Sequence, residues 1–407
     1  MASRRSPEVR AGVAAAVAGS GGDVPWPLRP AWAEIDLDAL RSNVQSIRAL
    51  LRPPTRLLAV VKADAYGHGA VEVARAALEA GAQALGVATV EEGVELRRAG
   101  ISSPILVLGP AVPAEAEGIV AHDLTASVSG AELARALSHA AARLGRTAAV
   151  HLKVDTGMGR LGVLPEAAPD LAREVARLEG ISLEGCFTHF ATADEPDLAP
   201  AREQLSRFLG VLDEMARVGV RVGLRHAANS AATLALPEAH LDMVRCGIAL
   251  YGVPPSPHLA SRAALTPVMR LRARVALVKR VPPQTPVGYG WTYRTEREAT
   301  LVILPVGYAD GYPRRAGEGG AVLVRGQRIP VAGRVSMDQI TADAGDLPVQ
   351  VGDEVELWGA SLPVAEVARR AHTIPYEVLA RVSRRIPRVY LERGAVRAVR
   401  TLLGSVP

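Results

Sequence analysis

Leu57-Leu58-Ala59-Val60-Val61-Lys62-Ala63, then GAVEVARAALEAG at 69–81 and ALGVAT at 84–89, read as strand, helix and strand. The first run is almost wholly apolar, as a strand covered on both faces requires. The second carries apolar residues at helical spacing and closes on Gly81, a residue that ends helices without steric cost. The same alternation continues through PILVLG (104–109), LTASVS (124–129), AVHLKVDT (149–156), EGCFTHF (184–190), LRHAAN (224–229) and MVRCGIALYG (243–252). Helical segments such as GAELARALSHAAARLG (130–145) lie between them. Eight β-type runs alternating with helices point to a (β/α)8 barrel of the TIM type, with a doubly wound open sheet as the alternative.

After about Leu265 the texture changes. RARVALVKRV, TLVILPV, AVLVRGQRIPVAG and DEVELWG are short alternating segments separated by Pro and Gly. Three regions follow: a disordered extension over 1–30, the barrel over 31–265, and a mainly β C-terminal domain over 266–407. Arg4 and Arg5 ahead of an Ala/Gly run faintly suggest an export signal, but the run lacks Leu or Phe and is not read as one.

Composition excludes several classes of function. With 407 residues, 49% of them hydrophobic, the chain has ample core-forming material. No apolar stretch reaches the ~18–20 residues that cross a bilayer, which argues against a membrane protein. The net charge of +5 invites a nucleic-acid reading, but the basic residues are scattered and aromatics make up only 4% of the chain. Cys186 and Cys246 form no disulfide framework, which fits a reducing, cytoplasmic setting. Only three of the 47 basic residues are lysines: Lys62, Lys153 and Lys279. A lysine kept against so strong an arginine bias suggests an amine that must lose its proton, which guanidinium does not do.

Barrel enzymes place reacting groups where strands end at the carboxyl face. Lys62 follows the first apolar run, where partial burial would lower its pKa and favour Schiff-base chemistry, although a snorkelling rim lysine is the commoner occurrence. Lys153, His189, His226, Asn229, Ser230 and Arg245 crowd the later strand ends. Ser230 at a helix start and the small residues around Gly247 resemble the phosphate sites that barrels build after strands seven and eight, while the plain reading of Ser230 is an N-cap.

In order along the chain stand VKADAYGHG around Lys62, KVDTGMGRLG around Lys153, HAANS, RCGIALYG, VGYGWTY, PVGYADGYPR, GRVSMDQ and TIPYEVL. This set closely resembles the alanine racemases, fold-type III enzymes that use pyridoxal 5′-phosphate (PLP), over about residues 31–395. The resemblance implies that Lys62 holds PLP covalently and is one of two acid/base groups at the substrate Cα. Tyr289 is implied as the other, supplied by the partner subunit of a homodimer whose active sites are shared. Inverting a carbon requires proton removal on one face and return on the other, so two bases are expected.

The same resemblance implies that Arg245 faces the pyridine nitrogen and that Tyr66, Ser230, Gly247, Ile248 and Tyr376 bind the phosphate. Arg160 would touch the cofactor's phenolic oxygen and the substrate carboxylate, and Met337 would bind that carboxylate through its backbone N–H. His189 and Asn229 would orient Arg245 and the ring, with His68 and His226 structural. Asp194, Tyr308, Arg314, Arg334 and Tyr376 would line a narrow access corridor. Lys153 would be carbamylated, bracing Arg160. Ser336 departs from the family, which often carries Cys there. No metal is implied. The implied reaction interconverts L- and D-alanine, supplying D-alanine for peptidoglycan in the bacterial cytoplasm. Three alternatives stand beside it: a broader small-amino-acid racemase, a non-catalytic PLP-binding homeostasis protein, which would lack the second domain and the second base, and a decarboxylase, which would need a specific cysteine and aspartate pairing in that domain, whereas both cysteines lie in the barrel.

Overall fold

The computed structural model describes residues 29–406, so most of the expected disordered extension, residues 1–28, lies outside the described residues. Residues 29 and 30 are placed, and Arg29 is tied into an ion pair, so they do not belong to a free tail. The chain divides into two compact units. Of the described residues, one holds 40–65 and 70–266; the other holds 29–39, 66–69 and 267–406.

The strands are β1 (Ala31–Asp36), β2 (Arg56–Val60), β3 (Ala84–Val87), β4 (Ile105–Val107), β5 (Thr125–Val128), β6 (Ala148–Lys153) and β7 (Ile181–Phe187). They continue as β8 (Leu224–His226), β9 (Met243–Cys246), β10 (Met269–Arg274), β11 (Leu277–Val281), β12 (Pro286–Val287), β13 (Tyr293–Arg294) and β14 (Ala299–Leu304). The last are β15 (Ala321–Val324), β16 (Gln327–Pro330), β17 (Ile340–Asp343), β18 (Glu354–Trp358), β19 (Arg388–Glu392), β20 (Ala395–Thr401) and β21 (Gly404–Val406).

The first unit is the barrel. Among the described residues, β2 to β9 form one all-parallel sheet in the order β8-β7-β6-β5-β4-β3-β2-β9. Where β8 and β9 meet, the backbone N–H of Asp242 donates to the carbonyl of Arg225 (3.0 Å) and that of Arg245 to the carbonyl of Ala228 (2.9 Å). These bonds nearly close the cylinder, which removes the open doubly wound alternative. Each strand read from sequence is present. The expected helix at 130–145 runs over Ala131–Leu144 and ends on Gly145 at φ 61°, the left-handed conformation glycine adopts freely.

Strand ends are shorter than the apolar runs. The last run turns at Gly247, and Ile248–Tyr251 form a 3-10 turn instead of extending the strand. The first run stops at Val60, after which Ala63, Asp64, Ala65 and Tyr66 all take φ 53°, one left-handed turn built without glycine. Each L-residue in that conformation costs roughly 1–2 kcal/mol, so strain is concentrated next to Lys62.

The second unit is mainly β. Its large sheet runs β16-β15-β18-β10-β1-β19-β20-β21, with a three-stranded sheet β11-β14-β17 and the pair β12-β13 beside it. β1 falls within the stretch expected to be barrel, yet it pairs antiparallel with β10 and parallel with β19. Its Trp32 is fully buried against Val389, Leu391 and Val399, which holds the chain's first strand in this sheet. Two short helices, Val364–Arg370 and Pro375–Ala380, complete the unit.

Candidate active site at the barrel mouth

Lys62 leaves β2 half-buried, and its amine pKa is lowered, first by burial and then by the nearby Arg160 guanidinium. Glu92 pulls the other way. The Glu92 carboxylate also fixes backbone: Oε1 accepts from the N–H of Ala63 (2.7 Å), and Oε2 accepts from Ala88 (2.6 Å) and Thr89 (3.3 Å). Thr89 caps the helix Val90–Arg98, with Glu92 completing a capping box. A helix start thereby holds the first residue of the left-handed turn. The turn's other end is tied by Asp64 Oδ1, which accepts from the N–H of Ala70 (3.0 Å).

Arg245, on β9, is fully enclosed, and burial lowers its pKa to about 9. Its Nη1 donates to Nδ1 of His226 (3.0 Å); its Nη2 donates to the carbonyls of Thr188 (2.7 Å) and Ala227 (2.9 Å) and toward Nδ1 of His189 (3.3 Å). Because guanidinium only donates, both imidazole Nδ1 atoms must be acceptors. His226 then carries its proton on Nε2 and donates to Nδ1 of His151 (2.8 Å). Burial and the Arg245 charge keep this file neutral, with His151 held down to about 4 and His226 well below the usual imidazole range. His226 also stacks on Phe187, ring centres 4.7 Å apart. Among the described residues no carboxylate is hydrogen-bonded to Arg245, in contrast to an arginine paired to a barrel carboxylate.

Lys153 ends β6 with its amine buried; among the described residues Nζ has no hydrogen-bond partner. It lies 4.6 Å from the centre of the Phe187 ring. Burial, followed by the Arg245 charge, drives its pKa well below the ordinary lysine value. The following loop is wrapped around Asp155, whose carboxylate accepts from the N–H groups of Gly157 (3.0 Å), Met158 (2.8 Å), Gly159 (3.1 Å) and Arg160 (3.1 Å). Burial pushes the Asp155 carboxyl up, but these four donors outweigh it and leave the pKa lowered. That wrapping sets where the exposed Arg160 leaves the chain. Buried Gln204 ties this loop to the next: its amide donates to Thr156 Oγ1 (3.4 Å) and to the carbonyl of His189 (3.2 Å).

After β8, Ser230 opens the helix Ser230–Ala235, and its hydroxyl accepts from the N–H of Gly247 (2.9 Å). Asn229 is the N-cap instead of Ser230, its Oδ1 taking the N–H of Ala232 (2.9 Å). Asn229 thus takes the N-cap place that the plain reading gave to Ser230, and His226 joins His189 and two carbonyls in holding Arg245.

The remaining expected residues lie on loops. Asp194 is exposed after β7. In the second unit, the rings of Tyr66 and Tyr376 lie 6.1 Å apart. Tyr289 and Trp291 are exposed on a turn flanked by Gly288 (φ 71°) and Gly290 (φ 73°). Exposed Tyr308 and Met337 sit on adjoining loops: the N–H of Tyr308 donates to the carbonyl of Ser336 (3.1 Å) and that of Ala309 to the carbonyl of Met337 (3.0 Å). Arg314 is exposed and Arg334 half-buried nearby in sequence. Sequence reading passed over Glu92, Asp155, His151 and Gln204. The Thr89-x-x-Glu92 pattern was the available signal for the first; nothing local marked the others.

The family profile described as "Alanine racemase, N-terminal domain" matches residues 35–255, and "Alanine racemase, C-terminal domain" matches residues 268–390. The alanine racemase of Symbiobacterium thermophilum is 52% identical over 368 residues, covering 89% of this chain and 97% of that protein. The solved alanine racemase of Clostridium difficile 630 superposes with a TM-score of 0.89 at 40% identity, covering 92% of this chain and 99% of its own. The Bacillus anthracis alanine racemase solved with bound L-Ala-P gives a TM-score of 0.87 at 37% identity, covering 92% and 98%.

Proposed function

From the premise that the chain belongs to the alanine racemase family, we propose that it interconverts L- and D-alanine with PLP carried on Lys62. The observation that carries this reading is a half-buried, low-pKa amine at the mouth of a barrel that also encloses Arg245 without a carboxylate. When bound, PLP supplies an electron sink that acidifies the substrate α-hydrogen. The residues fit it: a half-buried amine of lowered pKa to attach it, hydroxyl and amide donors at Ser230 and Gly247 for its phosphate, and a buried cation for its ring nitrogen. Ile248, Tyr66 and Tyr376 extend the phosphate set. No metal is part of this reading.

Lys62 moves a proton at one face of the substrate Cα, and the partner subunit's copy of Tyr289 moves one at the opposite face. Exposure of Tyr289 on its glycine-flanked turn suits a group offered to a second copy in a homodimer. Arg245 holds no proton it can readily give, and His226, His189 and two carbonyls fix its plane, so it steadies the ring nitrogen without protonating it. Asn229 keeps the Ser230 helix start in place beneath the phosphate. Arg160 and the backbone N–H of Met337 orient the substrate carboxylate. Asp194, Tyr308, Arg314 and Arg334 narrow the approach and limit side-chain size.

Lys153 is the residue proposed to carry a carbamate. Its amine, when unprotonated, can add carbon dioxide and release a proton, and the resulting anion would face Arg160 and Arg245, whose charges now lower the amine's pKa. No helix among the described residues is long and apolar enough to cross a membrane. A cytoplasmic enzyme supplying D-alanine for the cell wall is the setting proposed.

The test is exchange of the alanine α-hydrogen in deuterated solvent, with and without added PLP. Labelled alanine of both hands, formed only when PLP is present or retained from expression, is the expected result. Absence of exchange in fully PLP-loaded protein would overturn the reading.

A further inference from the structure

We infer that Arg29, ahead of the first strand, is a positioning residue that locks the loops bearing Tyr308 and Met337 through the buried carboxylate of Asp310. The inference rests on the proposed function for the roles of those two loops. Arg29 itself precedes residue 35, where the N-terminal family profile begins its match.

Asp310 is fully buried in the GYADGY segment. Arg29 grips it as a fork: Nη1 donates to Oδ1 and Nη2 to Oδ2 (2.7 Å). Nη2 also reaches the carbonyl of Pro305 (2.6 Å), at the start of the same loop. Oδ2 accepts in addition from the N–H of Gly307 (3.0 Å), so one carboxylate pins both ends of the turn that presents Tyr308. The second loop is drawn in from its other side. Arg385 approaches Asp310 Oδ1 through Nε (3.4 Å) and donates through Nη2 to Asp338 (2.7 Å), the neighbour of Met337.

The two loops meet through backbone without slack. A Cβ at Gly307 would lie 2.2 Å from the carbonyl oxygen of Met337 and 2.4 Å from that of Ser336. A shift at Asp310 therefore passes to Met337 directly, because nothing compressible lies between. Removing the Arg29 fork leaves a fully buried carboxylate with Arg385, itself 41% exposed, as its remaining cation, and the turn must open to hydrate it. Loosening would weaken ground-state capture of the substrate carboxylate and widen the approach. The chemical groups at Cα are untouched, so KM moves and kcat does not.

The experiment compares full-length holoenzyme carrying Arg29→Ala or Arg29→Lys with wild type. Arg143→Ala serves as control, removing an exposed arginine that pairs with Glu117 on the barrel surface. Arg29→Ala should raise KM for alanine about tenfold with kcat within about twofold, and raise the serine-to-alanine ratio of kcat/KM. Arg29→Lys keeps the charge but not the fork and should raise KM about threefold, which keeps the test valid if the alanine variant does not fold. Amide hydrogen exchange at Tyr308 and Ala309 should accelerate in both variants and not in the control, whatever the catalytic outcome. Unchanged KM, ratio and exchange, or a fall in kcat alone, would overturn the inference. A wild-type enzyme that does not turn over alanine would instead overturn the proposed function, leaving the exchange result to judge this one.

Discussion

The barrel mouth and the Asp310 corner of the β unit handle buried charge in opposite ways. Around Asp310 every buried negative oxygen meets a cation or an N–H group, so the corner is electrostatically complete as it stands. At the barrel mouth Arg245 is enclosed with imidazoles and carbonyls, and among the described residues no carboxylate is bonded to it. A scaffold closes its charges internally, whereas a binding site leaves a deficit for its ligand to fill. The same contrast separates the two kinds of arginine: Arg29 is forked on a carboxylate, while Arg245 is held by imidazoles and carbonyls.

Four measurements bear on that contrast. The largest effect belongs to Lys62→Ala, which should lose the absorption of lysine-bound PLP and lower racemisation by about 10³-fold or more, with the barrel still folded by circular dichroism. Retained activity would end the account. Arg245→Gln should cost on the order of 10²–10³ in kcat, since a buried preorganised charge is removed while the carbonyls around it lose their donor. An unchanged rate would mean that the positive deficit has no chemical use.

The third concerns the neutral histidine file. In the unfolded chain His151 has its ordinary pKa near 6.5, while in the fold it is held to about 4. Below pH 6.5 the unfolded chain therefore binds a proton that the fold refuses, and stability falls as pH falls. Between pH 7 and pH 5 this one group should remove about 2 kcal/mol, with His226 acting in the same direction. Urea unfolding midpoints at the two pH values measure it, and His151→Gln should flatten the slope. The smallest effect is expected of Glu92→Gln. Losing the carboxylate that raises the Lys62 pKa should move the acidic limb of PLP binding to lower pH and cut turnover about two- to fivefold. A shift to higher pH would show that its hold on Ala63 matters more than its charge.

Much of this was legible in the chain itself. Each barrel strand stood out because a strand covered on both faces must be apolar throughout, and Lys62 stood out because lysine is so rare here. What stayed hidden depended on distant partners or on backbone that no residue type announces. The turn over Ala63–Tyr66 contains no glycine, so nothing in its composition signals left-handed geometry. β1 looked like part of the barrel because the strands that claim it, β10 and β19, lie more than 200 residues away by number. Arg29 is separated from Asp310 by 281 positions. The bond from Arg245 to His226 Nδ1 joins residues 19 positions apart on neighbouring strands, a pairing that no local pattern announces.

In the proposed reaction two groups act on opposite faces of one carbon, and deuterium wash-in by the Tyr289→Phe enzyme, started separately from L-alanine and D-alanine, separates them. Label should enter one enantiomer with retention while the other stays unlabelled and inversion is largely lost. Equal wash-in and equal inversion from both starting hands would rule out a division of labour between Lys62 and Tyr289.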